Sequence, residues 1–471
     1  MEAQSLQTKV VWSLDRSTLR TKGSSELLQA GFDVLRLVYG RGSGREIGAF
    51  LGELQSHPSA MQSPAVMIDV SHYHQATVTS LKLSTELQYG QQITLSSNSA
   101  TGDVCIESPN WEAMFVKDSL VYVGFGAVVL KTISIESNHV AAQVVQSGSI
   151  RVGMNVFDAK TYKEPSVFDL TGVDISPFKE RHIDYVVIPG ISTAREVGLI
   201  RKRLSAHLKS EPWIIVRVDN KKVYEELESL LPFIDGVMIP RRELAVSLDP
   251  TLVPMVCKEI MNICHENAKL AMIESDFLSS MRLHPTPTRA EVSDIANAVI
   301  DGTDAIILAE DLGMGPHADR ALKVCRSIIG DVENQEVDLV LNWARKDFVV
   351  TTEFDAVAYH AYKTAERVKA KAIVCITLHG NTAVRLASFR IPFPIIAVTF
   401  SVETQRRLSI VRGVRSLLLA IDPAIDQVLP LVKDKLRGYS WLTPGDSIVF
   451  VTVSLSPVGH EESNLFTVQT I

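Results

Sequence analysis

The chain has 471 residues, 46% of them hydrophobic and 21% charged, a profile that fits a globular protein with more than one hydrophobic core. A net charge of −7 argues against a nucleic-acid partner held by phosphate neutralisation. No apolar run is long enough to cross a bilayer, and the N-terminal "MEAQSLQTKVVW" has no signal-peptide core, so the expectation is a cytoplasmic chain without a membrane partner. The cysteines, Cys105, Cys257, Cys264, Cys325 and Cys375, are scattered without a CxxC pair, and read as reduced core thiols.

Short apolar runs alternate with helical patterns along the chain. The runs are "VVWSL" (10–14), "VLRLVY" (34–39), "AVMIDV" (65–70), "YVVIPG" (185–190), "WIIVRV" (213–218), "GVMIP" (236–240), "LAMIES" (270–275) and "AIILAE" (305–310). Unbroken Val/Ile/Leu runs suit parallel strands buried on both faces. Between most of them lie segments of helical spacing, such as 192–208, 221–231 and 251–267. Eight strands with interleaved helices predict a (β/α)8 TIM barrel.

The gap between the third and fourth runs is too long for one helix. It holds "TVTSLKLS" (77–84), "SLVYVGFGAVVLKTISI" (119–135) and "HVAAQVV" (139–145), whose period-two alternation predicts a small all-β insertion, a lid. After about residue 346 a second α/β pattern begins, with a helix over about 352–370 and strands near 372–377, 394–400, 414–420, 446–454 and 465–470. This predicts a doubly wound C-terminal domain. The expected boundaries are 1–76 and 164–346 for the barrel, 77–163 for the lid and 347–471 for the last domain.

The stretch "PTPTRAEVSDIANAVIDGTDAIILAED" (285–311) has a local account. Thr288 and Glu291 form a capping box behind Pro287. Val292, Ile295, Ala296 and Val299 place one apolar stripe on the barrel, and Gly302 closes the helix where φ must be positive.

A barrel, a β insertion after its third strand and a C-terminal α/β domain together resemble pyruvate kinase. "PTPTRAEVSDIANAVIDGTDAIIL" is close to that family's most recognisable sequence. The resemblance covers nearly the whole chain. It implies phosphoryl transfer from phosphoenolpyruvate to ADP, Mg²⁺ and usually K⁺, and a tetramer.

Read against that family pattern, the strand ends are altered. After the fifth strand the family Lys-Ile-Glu-Asn is Arg217-Val218-Asp219-Asn220. Arg217 keeps the charge of the lysine, but as a planar fork rather than a point. After the sixth strand the family Ala-Arg-Gly-Asp-Leu-Gly is Pro240-Arg241-Arg242-Glu243-Leu244-Ala245. Asp219 and Glu243 thus occupy the two metal-binding carboxylate positions with exchanged lengths, a candidate Mg²⁺ pair. Arg242 replaces a glycine that lets substrate sit against backbone amides, and is expected to block substrate.

Arg36, in "LRLVYGRG", matches a phosphate-binding arginine, while Val38 and Gly40 replace two family potassium ligands. Asp69 remains from that site, so K⁺ is not expected. Ala76 stands near the place of a second phosphate-gripping arginine. Ser275 stands where the family has a threonine of the proton relay, between Glu274 and Asp276 where Ala and Gln are usual. The family's acidic lid motif becomes Gly124-Phe125-Gly126. His72 and His74 share a strand face near Asp69, without the further ligands of a metal site.

In the last domain, "TLHGNT" occupies the place of the family's effector-phosphate loop. Thr377, His379, Gly380, Asn381 and Thr382 are candidates to hold a phosphorylated effector at a helix start, with Lys433, Lys435 and Arg437 as helpers. The expectation is a catalytically impaired family member, a regulatory or structural partner subunit of an active pyruvate kinase in a homo- or hetero-oligomer. The alternatives are a divergent but active pyruvate kinase and a phosphometabolite-sensing module.

Overall fold

The computed structural model describes residues 6–14, 31–40, 44–56, 64–71, 76–83, 85–98, 102–108, 111–124, 126–152, 154–162, 173–179, 181–313, 315–335, 352–419, 425–452 and 465–471. His72, His74 and Phe125 lie outside them. Eight parallel strands close into a barrel: Lys9–Leu14, Val34–Val38, Ala65–Asp69, Tyr185–Pro189, Trp213–Arg217, Gly236–Pro240, Leu270–Glu274 and Ala305–Leu308. Each pairs with its neighbours in chain order, and the eighth closes on the first. Nearly every strand residue is buried, which is why these runs are apolar throughout rather than alternating.

Alternation decides which way each residue faces. Val11, Val34, Met67, Val187, Ile215, Met238, Met272 and Ile307 pack together inside the barrel, and their cluster continues into the C-terminal domain. The residues between them, such as Val10, Leu35, Ile68, Ile214 and Ile273, pack outward with the helices.

Four aspartates set the barrel floor. Asp33, Asp184, Asp235 and Asp304 each directly precede the second, fourth, sixth or eighth strand. Their carboxylates accept the amides of Val10, Val66, Ile214 and Ala271, on the strand before, at 2.7–2.8 Å. Amides at the strand starts are thereby satisfied inside a buried rim, where an unpaired group would cost about 1–3 kcal/mol.

The helix Arg289–Ile300 has the capping box that its sequence predicts, with Thr288 and Glu291 bonded reciprocally. Gly302 follows it at φ +83°. The buried stripe is Ile295, Ala298 and Val299; Ala296 is only half-buried, because the helix turns its 295/298/299 edge to the barrel.

After the third strand the chain enters a closed seven-stranded β barrel, running from Ala76–Leu81 to Asn155–Asp158, with its own apolar core. The C-terminal domain is a five-stranded sheet: Ala372–Ile376, Ile395–Thr399, Val414–Leu418, Ser447–Thr452 and Leu465–Thr470, in the order third, second, first, fourth, fifth. Its first four strands are parallel and the last is antiparallel. All five thiols are buried and free. Among the described residues no helix is long and apolar enough to cross a membrane.

The C-terminal domain is fastened to the barrel floor by buried ion pairs. Arg390 grips Asp304 at 2.9 and 3.2 Å and also meets the His265 ring. Arg406 grips Asp184 at 3.1 and 2.9 Å. Burial, with Arg390 and Arg412 nearby, holds the His265 imidazole well below its usual pKa, so the ring is neutral and accepts from Arg390.

Candidate active site

The inward alternation that places Val11, Val34, Met67, Ile215 and Met272 in the barrel interior places Ser13, Arg36, Asp69, Arg217 and Glu274 one step further along the same strands. These five polar residues form the uppermost interior layer, at the C-terminal strand ends where sites of this fold are built. The structure therefore brings together Arg36, Arg217 and Asp69, and adds Glu274 from the end of the seventh strand.

The layer is one charge network. Arg36 donates through Nε and Nη2 to Asp69 Oδ2 at 2.8 and 2.5 Å, and through Nη1 to Ser13 Oγ at 3.1 Å and Glu274 Oε1 at 2.5 Å. Arg217 holds Glu243 with its Nε and Nη2, both at 2.7 Å. Its Nη1 faces Glu274 Oε2 at 2.6 Å and Asp69 Oδ2 at 3.5 Å. Arg36 is 0% exposed and Arg217 2%, so such charges persist only because they are paired. Burial opposes both charges. For Arg36 the carboxylates of Glu274 and Asp69, and for Arg217 those of Glu243, Glu274 and Asp69, outweigh it and hold each guanidinium above its usual pKa.

The candidate metal pair is drawn apart chemically. Glu243, in the short helix Arg241–Ser247, gives both oxygens to Arg217. Asp219 accepts from Asn220 Nδ2 at 2.7 Å. Burial and the nearby Glu243 charge push the Asp219 carboxyl up to about 7. A buried carboxylate short of positive charge has the donor chemistry of a cation ligand. Among the described residues no three His, Cys, Asp or Glu side chains are arranged around one metal position. The remaining oxygen of Asp69, Oδ1, is held by the Ser71 amide at 2.9 Å and by the Ser71 hydroxyl.

The other strand-end candidates stand beside the layer. Arg242 pairs with Asp276 at 2.7 Å, with both side chains more than a third exposed. Ser275 lies 3.4 Å from Asp294, which also pairs with Arg241. Asp294 belongs to the helix Arg289–Ile300, so the helix that covers the barrel also holds the sixth and seventh strand ends. Ala76 opens the first lid strand.

The C-terminal loop is separate. Gly380 has φ +96° and caps the helix Asn381–Ser388. A Cβ there would come within 3.2 Å of Trp213, so glycine is required both by conformation and by the approach to the barrel floor. Its amide donates to Thr377 Oγ1 at 2.9 Å. Thr377 and Thr382 are buried, whereas His379 and Asn381 are exposed. Lys433 donates to Gln469 at 2.9 Å. A cavity of about 380 Å³ opens nearby, lined by Trp213, Lys269, Asp355, Asn381 and Arg385 among others.

Sequence reasoning noted Glu274 only as a neighbour of Ser275, and passed over Ser13, Ser71 and Asp294. For Ser13 and Glu274 the available signal is phase: each stands two residues beyond an interior apolar position, on the same face as Arg36 and Arg217.

The architecture defines a class: (β/α)8 barrels that carry a β-barrel lid after the third strand, an α/β domain on the floor, and convergent charges at the mouth. Within that class, a family model for the pyruvate kinase barrel domain matches residues 5–321, and one for the pyruvate kinase alpha/beta domain matches residues 355–469. The chain belongs to the pyruvate kinase family. Pyruvate kinase of Bacillus licheniformis is 26% identical over 99% of this chain and 80% of its own length. That of Thermotoga maritima is 28% identical over 86% of this chain and 87% of its own. The solved structure of Cryptosporidium parvum pyruvate kinase in complex with ADP shares the fold with a TM-score of 0.83, over 100% of this chain and 96% of that one, at 22% identity.

Proposed function

We propose that the chain is a divergent pyruvate kinase, acting on phosphoenolpyruvate and ADP at the barrel mouth, whose resting site is held closed by its own charges. The carrying observation is the convergence of Arg36 and Arg217 with Asp69, Glu243 and Glu274 in one buried layer at the strand ends. Phosphoryl transfer asks a protein mainly for positioning and charge stabilisation, and this layer supplies cations for a phosphoryl group. The relatives matched along almost the whole chain bear the name pyruvate kinase, which supports this reading over an inert fold.

Asp219 and Glu243 are the residues that would hold Mg²⁺, which supplies charge neutralisation on the phosphate oxygens when bound. Glu243 must first release Arg217. Ser275, whose hydroxyl lies 3.4 Å from Asp294, is the residue assigned to pass a proton on this reading. No potassium site is proposed: Asp69 is spent on Arg36 and Ser71, and Val38 and Gly40 bring no side-chain oxygen. The loop 377–382 is proposed as a phosphorylated-effector site on the strength of its strand-to-helix turn.

A second reading is favoured by the same network. Each mouth arginine is already neutralised, and Ala76 stands in place of a phosphate-gripping arginine. On this reading the chain turns over little or nothing alone, and serves as a regulatory or structural subunit beside an active pyruvate kinase.

The test is pyruvate formation by the purified chain with phosphoenolpyruvate, ADP, Mg²⁺ and K⁺. The first reading expects Mg²⁺-dependent activity, roughly 10²-fold or more below that of a family member with the lysine, since misplaced charge at such sites costs about that much. Complete inactivity overturns it. The assay repeated with an active pyruvate kinase added then decides the second reading, which fails if the mixture neither co-elutes nor changes rate.

A further inference from the structure

We propose that Glu274 is a built-in ligand mimic: its carboxylate fills the position of an incoming phosphoryl group, and a phosphorylated acid binds by displacing it. This deepens the pyruvate kinase reading above and rests on it for the identity of the ligand.

The argument starts from how the two guanidiniums divide their donors. Each spends its Nε and Nη2 edge on one partner, Arg36 on Asp69 and Arg217 on Glu243, at 2.5–2.8 Å. Arg36 Nη1 donates to Ser13 and to a third carboxylate, Glu274, whereas Arg217 Nη1 donates to Met238 Sδ at 3.1 Å and Asp69 Oδ2 at 3.5 Å and faces the same Glu274 as an ion pair. Glu274 Oε1 meets Arg36 at 2.5 Å and Oε2 meets Arg217 at 2.6 Å. One planar anion thus stands between two converging cations, hydrogen-bonded to Arg36 and ion-paired with Arg217, a place where guanidinium groups can receive a phosphate.

Donor pairing and burial separate Glu274 from the other two carboxylates. Two arginines face three carboxylates, so taking Glu274 away leaves two cations against Asp69 and Glu243. Taking either of the others away breaks a two-donor pair in a fully dry place. Asp69 is 0% and Glu243 3% exposed, whereas the Glu274 side chain is 12% exposed. Glu274 is therefore the member nearest the opening and the one whose departure leaves a neutral, paired layer. It ends the seventh strand at Glu274 itself, where the side chain can swing outward without disturbing the ladder.

The experiment is isothermal titration calorimetry of phosphoenolpyruvate, and of inorganic phosphate as a minimal probe, into the full chain and into Glu274→Gln and Glu274→Ala. Glu274→Gln keeps shape and removes charge; Glu274→Ala empties the position; melting temperatures establish that each is folded. Both variants should bind both probes at least tenfold more tightly than the natural chain. Adding Arg217→Met to Glu274→Gln should erase the gain. Equal affinity in the natural chain and either folded variant overturns the proposal. Pyruvate formation is read alongside. Tighter binding without turnover in any variant upholds the mimic while the phosphotransfer reading fails. Turnover by the natural chain with an unchanged KM in Glu274→Gln does the reverse.

Discussion

The barrel has two charged ends, and they are built differently. At the floor, arginines of the C-terminal domain meet the strand-start aspartates in closed pairs: Arg390 with Asp304, Arg406 with Asp184. Each aspartate also accepts a strand amide. At the mouth, Arg36 and Arg217 share three carboxylates drawn from two strand ends and a short helix, and Asp69 and Glu274 each touch both arginines. Two of the four floor aspartates thus form a joint between domains, each with one arginine. The layer at the mouth sets three carboxylates against two guanidiniums. A buried pair exists to be kept, whereas a network with a surplus member can trade that member for a ligand.

Breaking a floor pair should have the largest effect. Asp304→Ala leaves Arg390 buried without its carboxylate and removes the acceptor of the Ala271 amide, a loss of about 3–5 kcal/mol. Denaturant unfolding should show it, with the two domains melting separately if the joint is what couples them. Glu274→Ala costing as much would erase the distinction drawn here.

Asp219→Asn should instead stabilise, and only at high pH. Its folded-state pKa, about 7, lies above the unfolded value near 4. The folded state therefore favours the proton, and this contribution is complete below pH 4 and lost as pH rises through 7. The variant should gain on the order of 2–4 kcal/mol at pH 8.5 and nothing at pH 4, read from unfolding midpoints across pH. Mg²⁺ binding, which needs the carboxylate, should strengthen over the same interval in the natural chain and vanish in the variant.

Thr288→Ala should cost about 1 kcal/mol by removing the cap of the Arg289–Ile300 helix, without changing ligand binding at the mouth. A large effect on ligand affinity would mean that this helix acts through Asp294 on the site and not only as scaffold. Smallest of all, Arg242→Ala should shift stability by less than about 0.5 kcal/mol, because its pair with Asp276 is exposed. Its value is functional: tighter phosphoenolpyruvate binding would mark Arg242 as a substrate block, and unchanged binding would leave that role to Glu274.

The two ends also differ in how legible they were. The eight apolar runs, the lid's alternation and the second α/β pattern follow from periodicity, so the architecture and the capped helix could be read directly. The floor carries a plain signal that periodicity alone does not use: an aspartate just before every even-numbered strand. The mouth residues Arg36, Arg217, Asp69, Asp219 and Glu243 were legible only beside a family pattern. Even so, reading Asp219 and Glu243 as a metal pair missed that Glu243 gives both oxygens to Arg217. Arg242, read as a block to substrate, pairs with Asp276 at the rim, and sequence reasoning did not place Glu274 in the layer between the two arginines.

By itself the sequence determined which segments are strands, which are helices and where the chain turns, because hydrophobic period and capping chemistry act over a few residues. Only the tertiary structure decided which charges meet. Residues 36, 69, 217, 243 and 274 are far apart along the chain, and a charge's partner is set by barrel closure and strand phase. Coulomb energy in a dry interior depends on distances of a few ångströms, and no local pattern encodes those distances.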